Sequence, residues 1–400
     1  MSENQIPLDR LARIVKFWED VLLKSKLFII PVMLVSFLAF IALSGSKDVT
    51  AASGKADTTP SAAWDRAAAA GYLDSRETWW QSWPKSQRDH DTVCVSCHTA
   101  VPYAFSRPAL RQEMGEQDLS APERIMFNNI AKRVTLWNEV EPFYKDNKNG
   151  PTKSTESRNT EAVLNAVILA SYDARSGYLR ELTKSAFKDA WAVQSKTGDK
   201  AGAWVWLNFH NSPWEADESE YWGATLAALA TGIAPEDYRD TPEIQDNVKM
   251  LRAYLRREYK TQPLVNRVFL LWASAKFPGL LTSSERAGLV DDIYAVQQKD
   301  GGWSLTDLGK WKRHDDTALE TKSDGYATGL IVLALEKTGM KGQPQVSRGL
   351  SWLKQNQSRS EGLWPAWSLN KQRDPASDVG RFMSDAATGY AVLALEESHK

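Results

Sequence analysis

From residue 62 to the C-terminus, apolar residues follow two alternating patterns. In stretches such as VKMLRAYLRREY (248–259), apolar positions recur at i, i+3 and i+4 among charged residues, the mark of a helix with one buried face. In stretches such as SEYWGATLAALATG (219–232), apolar or small residues run nearly all round, which suits a helix with neighbours on every side. The one-faced pattern predicts outer helices at 64–81, 122–138, 178–195, 243–258, 283–298 and 345–356. The all-round pattern predicts inner helices at 98–111, 160–174, 219–232 and 263–277, with two more beginning near Asp324 and near Met383. Six outer helices alternating with six inner ones predict an all-α fold, a single (α/α)6 toroid over 62–400, because a closed ring gives every inner helix its neighbours.

Two internal repeats support the period. Ala327-Thr328-Gly329 with Leu333-Ala334-Leu335-Glu336 recurs sixty residues later as Ala387-Thr388-Gly389 with Leu393-Ala394-Leu395-Glu396. Between an outer helix and the next inner one, a Gln is followed by Gly-x-Trp: Gln194 with Gly202 and Trp204, Gln297 with Gly301 and Trp303, Gln357 with Gly362 and Trp364. The expected role is a stapled helix end, with Gln bonding free carbonyls, Gly in the left-handed turn and Trp covering the Gln.

The N-terminal region reads differently. Residues Leu27 to Leu43 carry no charge and only Ser36 as a polar side chain, enough for one membrane span, placed at 27–45. Arg10, Arg13, Lys16, Lys24 and Lys26 precede it, so the positive-inside rule puts segment 1–26 in the cytoplasm and the chain beyond on the exported, periplasmic face. A cleaved signal peptide is the rival reading, opposed by the long charged region before the apolar run and by the lack of an A-x-A site. Residues 46–61 have the small, polar composition of a flexible linker. The amphipathic stretch 8–24 reads as an interfacial helix leading into the anchor.

Across all 400 residues the composition is 42% hydrophobic and 25% charged with a net charge of −1, which excludes global disorder and nucleic-acid binding by bulk charge. Only two cysteines occur, so a disulfide-dense scaffold is excluded as well. Those two fall in Cys94-Val95-Ser96-Cys97-His98, the C-x-x-C-H pattern of covalent c-type haem, in which both thiols bind the haem vinyl groups and the His ligates iron. Export to the face where c-type haem is attached, the lack of other cysteines and the adjacent His98 favour one covalent haem c over a short-loop disulfide or a zinc site short of a ligand. The region holding the motif is consumed by one helix pair, so the haem is expected inside the toroid, on the rim formed by the outer-to-inner loops. Met383, His210 and His314 on that rim are the candidate sixth ligands, and a vacant sixth position stays open.

The Gln…Gly-x-Trp copies resemble the QW motifs of squalene-hopene cyclases and related triterpene cyclases. The alternating helices resemble the toroid shared with protein prenyltransferase β subunits. This resemblance covers about 62–400 and implies a terpenoid-cyclase-like toroid. It also implies a search for the cyclase acid motif Asp-x-Asp-Asp-Thr-Ala, whose nearest match is Arg313-His314-Asp315-Asp316-Thr317-Ala318. With Arg313 in the first position and the inner helix several residues away, that stretch is expected to be a solvated charged loop. Asp324 and Asp385, at the starts of inner helices, are the candidate catalytic carboxylates. N-capping is the expectation for each on helix grounds. The zinc site of the prenyltransferases is not supported, since the stretch from Asp324 to Ala327 offers no Cys.

Three functions follow. One is a membrane-anchored monohaem protein for electron transfer, or for oxidation involving an apolar, isoprenoid-like ligand, served by a redox partner. The second is a cyclase-like isoprenoid-processing enzyme, and the third is a non-catalytic redox or scaffold subunit.

Overall fold

The computed structural model describes residues 64–400, so the expected segment 1–26, the anchor at 27–45 and the linker at 46–61 lie outside the described residues. Among the described residues no helix is long and apolar enough to cross a membrane. They contain twelve α-helices longer than ten residues, in strict alternation. The outer set is α1 (Arg66–Ser82), α3 (Ala121–Thr135), α5 (Glu181–Ala192), α7 (Gln245–Glu258), α9 (Ser283–Ala295) and α11 (Pro344–Gln355). The inner set is α2 (Ala100–Glu113), α4 (Lys153–Ser176), α6 (Ser219–Ile233), α8 (Leu264–Ser274), α10 (Gly325–Lys337) and α12 (Phe382–Glu397).

Burial follows the sequence pattern. In α7 only Val248, Leu251, Tyr254 and Leu255 are buried, one stripe of the helix, whereas in α10 every residue from Gly325 to Glu336 is buried. Each inner helix packs on the next inner helix, and α12 packs back on α2, so the inner set forms a closed ring. The repeated Ala-Thr-Gly marks where inner backbones meet. A Cβ on Gly329 would stand 2.5 Å from the Ala391 nitrogen of α12, and one on Gly389 would stand 2.6 Å from Pro102 of α2. Inside the ring, aromatic side chains from different inner helices pack on one another. Tyr390 meets Tyr326 edge-on at 5.1 Å and Phe269 at 5.8 Å, and Phe269 meets Trp222 at 6.0 Å.

The QW turns hold the outer layer, with a division of labour different from the expected one. Each Trp indole N–H donates to a carbonyl at the end of the preceding outer helix: Trp204 to Ala190 at 2.7 Å, Trp303 to Ile293 at 2.8 Å and Trp364 to Leu353 at 2.7 Å. Each Gln amide instead bridges its own Gly carbonyl to the start of the next outer helix. Gln194 bonds Gly202 and Asn247, Gln297 bonds Gly301 and Gln345, and Gln357 bonds Gly362 and Asp65. The Trp satisfies the free carbonyl, and the Gln ties one repeat to the following one. Since Asp65 is the N-cap of α1, the Gln357 staple joins the last repeat to the first.

The sixty-residue repeat also leaves one copy unmatched. Glu396 is paired with Arg66 at 2.7 Å, while Glu336, its counterpart in α10, is buried with neither carboxyl oxygen bonded. The Gln staples explain the difference: Gln345 corresponds to Asp65, so buried Val346 stands where Arg66 would be.

Two stability predictions follow from these contacts. Gln357→Ala removes both carbonyl bonds and an acceptor for the Asp65 N–H, and is expected to cost about 2 kcal/mol, read as a lower urea midpoint at unchanged slope. Burial pushes Glu336 up to about 8. The folded protein therefore holds that proton where the unfolded chain has released it, and stability falls as pH rises from the ordinary carboxyl range through 8. Glu336→Gln should match the parent at pH 5 and exceed it by roughly 2–6 °C in Tm at pH 9.

Candidate functional site

The C-x-x-C-H segment lies between α1 and α2, on the rim made by the outer-to-inner loops. A two-stranded antiparallel pair leads into it, β1 (Gln87–Arg88) and β2 (Thr92–Val93). Outer helix α3 clamps this pair. Asn129 accepts from the Val93 N–H at 2.7 Å and donates back to its carbonyl at 2.8 Å, and buried Arg133 bonds the Thr92 hydroxyl at 2.5 Å and Glu161 of α4 at 2.5 Å. The Trp80 indole N–H donates to the Cys94 carbonyl at 2.6 Å, and the Cys94 N–H donates to Ser86 at 2.9 Å. Ser96 then starts the inner helix, its hydroxyl oxygen accepting from the Ala100 N–H at 2.9 Å. This places the start of α2 at Ala100 rather than 98 and leaves His98 in the loop.

Cys94 and Cys97 are buried, and both thiols are free. Burial pushes the Cys94 thiol up to about 12 and the Cys97 thiol well above its ordinary value, so both are protonated at neutral pH. The half-buried His98 ring stacks on Phe382 with centroids 3.8 Å apart and meets the edge of Trp80 at 5.0 Å. Burial, and then the charge of Arg76, push its pKa down to about 3, so the ring is neutral.

Its tautomer is set by its neighbours. The Thr99 hydroxyl donates to Asp385 Oδ2 at 2.8 Å, which uses its only hydrogen, so Thr99 Oγ1 is an acceptor toward His98 Nδ1, 2.8 Å away. Nδ1 therefore carries the proton, and the Nε2 lone pair makes no hydrogen bond among the described residues.

Asp385 is held by three residues from two elements. Arg76 of α1 binds it through Nε and Nη2 at 2.7 and 3.1 Å, Tyr72 of α1 donates at 2.7 Å, and Thr99 donates from the C-x-x-C-H loop. Burial raises this carboxyl, and the three donors offset only part of that rise. With a bidentate arginine the pair is ionic. The expectation of an N-cap does not hold here: Arg381 is the cap residue of α12 and Asp385 sits one turn in. The repeat explains it, since Asp385 aligns sixty residues after Gly325, not Asp324. Asp324 is the N-cap of α10, accepting from Ala327 at 2.8 Å and from Leu305 at 2.5 Å, and burial pushes it up to about 7.

The remaining sequence candidates are scattered. Met383 is buried and follows Phe382 on α12, about 100° further round the helix. His210 and His314 are exposed and meet each other, His314 Nε2 lying 2.8 Å from the His210 carbonyl. They line an open cleft of about 950 Å³ together with Asp217, Arg267, Lys310 and Trp311. In the RHDDTA stretch Asp315 and Asp316 are exposed as expected, but Arg313 is buried, bonding the Ser368 and Ala318 carbonyls. Its five donors order the surrounding loop.

The residues around the motif suit a haem in two respects: two unpaired thiols beside a neutral histidine with a free Nε2, and the indole N–H of Trp214. That ring lies 5.7 Å from His98, and its N–H is buried with no hydrogen-bond partner among the described residues. Sequence reading did not find Arg76, Tyr72, Thr99, Phe382 or Trp214. Only the Trp79, Trp80 and Trp83 cluster before the motif carried a visible signal.

If Asp324 is a cap, Asp324→Ala should lose about 1–3 kcal/mol and Asp324→Asn less, in urea unfolding, with the visible spectrum unchanged. A catalytic acid would instead leave stability alone and lose turnover in both variants.

No family model matches the chain, and no curated protein matches it. Among solved structures, a glycosidase in wild-type and substituted forms aligns with TM-scores of 0.47 and 0.48 at 11% identity, covering 84% of this chain and 98% of that chain. A polysaccharide lyase aligns with a TM-score of 0.36 at 12% identity, covering 84% of this chain and 90% of that one.

Proposed function

We propose that this chain is a membrane-anchored, exported monohaem c-type protein built on a cyclase-like toroid, and that its role is electron transfer. The observation that carries this reading is the geometry at His98, whose Nδ1 lies 2.8 Å from the Thr99 hydroxyl and whose Nε2 makes no hydrogen bond among the described residues, next to two free thiols in the C-x-x-C-H spacing. Bound covalently, haem would supply reversible one-electron chemistry at the iron. Cys94 and Cys97 would anchor it by adding their S–H groups across its vinyl groups, and His98 would bind its iron through Nε2. Trp214 and Phe382 would exclude water on the protein side, and Met383, His210 and His314 remain the sixth-ligand candidates.

The cyclase reading is the weaker one. It needs a protonated carboxyl free to attack an alkene. Asp385 is bound by Arg76, Tyr72 and Thr99, and Asp324 is engaged by two backbone N–H groups.

The test is an absorption spectrum of the full chain made in cells competent for c-type maturation, oxidised and dithionite-reduced, with a pyridine haemochrome after acid-acetone extraction. Haem that survives extraction in the parent and is lost in the Cys94→Ala/Cys97→Ala double variant supports the proposal. A parent protein with no haem under those conditions overturns it. Carbon monoxide binding then tells a vacant sixth position from a ligated one.

A further inference from the structure

The Thr99 side chain is placed against its usual role. It occupies the N-cap of α2, where a threonine hydroxyl ordinarily accepts from the helix's free N–H groups, yet it makes no capping bond. Ser96 has taken that task by accepting from Ala100 at 2.9 Å and from Thr99's own N–H at 3.3 Å. The Thr99 hydroxyl is thereby free to span two groups from different ends of the chain, His98 Nδ1 on one side and Asp385 Oδ2 on the other, each at 2.8 Å. The carboxylate at the far end is itself rigid, held by Arg76 and Tyr72. All four polar partners, Tyr72, Arg76, Thr99 and Asp385, are buried, so their electrostatic influence on one another is weakly screened.

We propose that Asp385, acting through Thr99, is a positioning pair for His98 that makes its Nε2 a stronger donor to a haem iron. This rests on the haem reading above. A carboxylate accepting the Thr99 hydroxyl hydrogen makes Thr99 Oγ1 a better acceptor, and a better acceptor at Nδ1–H leaves more electron density on the imidazole. Metal-bound histidines commonly direct the second ring nitrogen to such a partner, and that partner fixes ring orientation as well as basicity. Here the partner reaches the imidazole through one hydroxyl, so the effect is separable from ring closure. Removing the hydroxyl leaves the Arg76–Asp385 ion pair and the Tyr72 bond in place.

A more basic axial ligand favours ferric over ferrous iron. Thr99→Val, similar in shape but without the hydroxyl, should therefore raise the reduction potential, increasing the reduced-to-oxidised ratio at a fixed ambient potential about tenfold. The iron–histidine stretching band in the resonance Raman spectrum of the reduced protein should fall in frequency. Thr99→Ser should restore both values toward the parent. Asp385→Asn should move both in the Thr99→Val direction. Thermal unfolding of each variant is read alongside. A Thr99→Val protein with covalent haem whose potential and Raman band match the parent overturns the inference, whatever its Tm, and leaves the haem reading standing. A parent chain without covalent haem overturns both.

Discussion

A closed ring of helices has one seam that the chain cannot close covalently, where the first elements meet the last. In this protein the seam rests on Asp385. Its carboxylate draws two donors from α1, Arg76 and Tyr72, and one from the loop that opens α2, while its backbone belongs to α12. Around it the Gln357 staple reaches Asp65 and Glu396 pairs with Arg66. A buried ion pair is costly to assemble unless its remaining lone pairs are satisfied, and this one has two hydroxyl donors for that purpose. Removing Arg76 would leave the Asp385 charge buried and unpaired, whereas removing Asp385 leaves Arg76 its second carboxylate, Asp378, at 2.9 Å.

Much of the architecture was legible because it depends on periodicity. Apolar residues at helical spacing separated inner from outer helices, and all twelve helices fall where the two patterns put them. The boundaries that shifted did so through side-chain bonds that periodicity does not register. The inner helix expected from 160 begins at Lys153, because Thr152 and Lys153 both bond Glu156 and extend the helix by a polar turn. The first inner helix starts late because Ser96 caps it. The QW copies were legible as a motif but not in their bonding, since a Gln four to eight residues before its Gly gives no hint that it also reaches the next helix.

The chemistry was legible only in part. Cys94, Cys97 and His98 are adjacent in sequence, and adjacency is what a sequence displays. Thr99, Asp385 and Arg76 meet across about three hundred residues, and nothing in their local surroundings distinguishes them from a cap, another cap and an outer-helix cation. Asp324 and Asp385 looked equivalent because both open an inner helix, yet the sixty-residue repeat sets Asp385 against Gly325.

That one-residue offset explains why the candidate site lies where it does. In α10 the position can hold only glycine, because a Cβ on Gly325 would stand 2.4 Å from the Cβ of Trp364, the QW tryptophan of the following loop. After α12 the following loop in the ring is the one between α1 and α2, which has no Gln…Gly-x-Trp and carries the cysteines instead. Without that tryptophan, a side chain is admissible at 385, and an aspartate there reaches Thr99. Three of the six outer-to-inner loops carry that turn; in the loop that follows α12 around the ring it is absent, which leaves room at 385 for a carboxylate one hydroxyl away from the histidine. Placing the C-x-x-C-H motif at the seam makes the geometry of His98 depend, through Thr99, on a carboxylate that helps close the ring, so a properly held imidazole requires a properly closed fold.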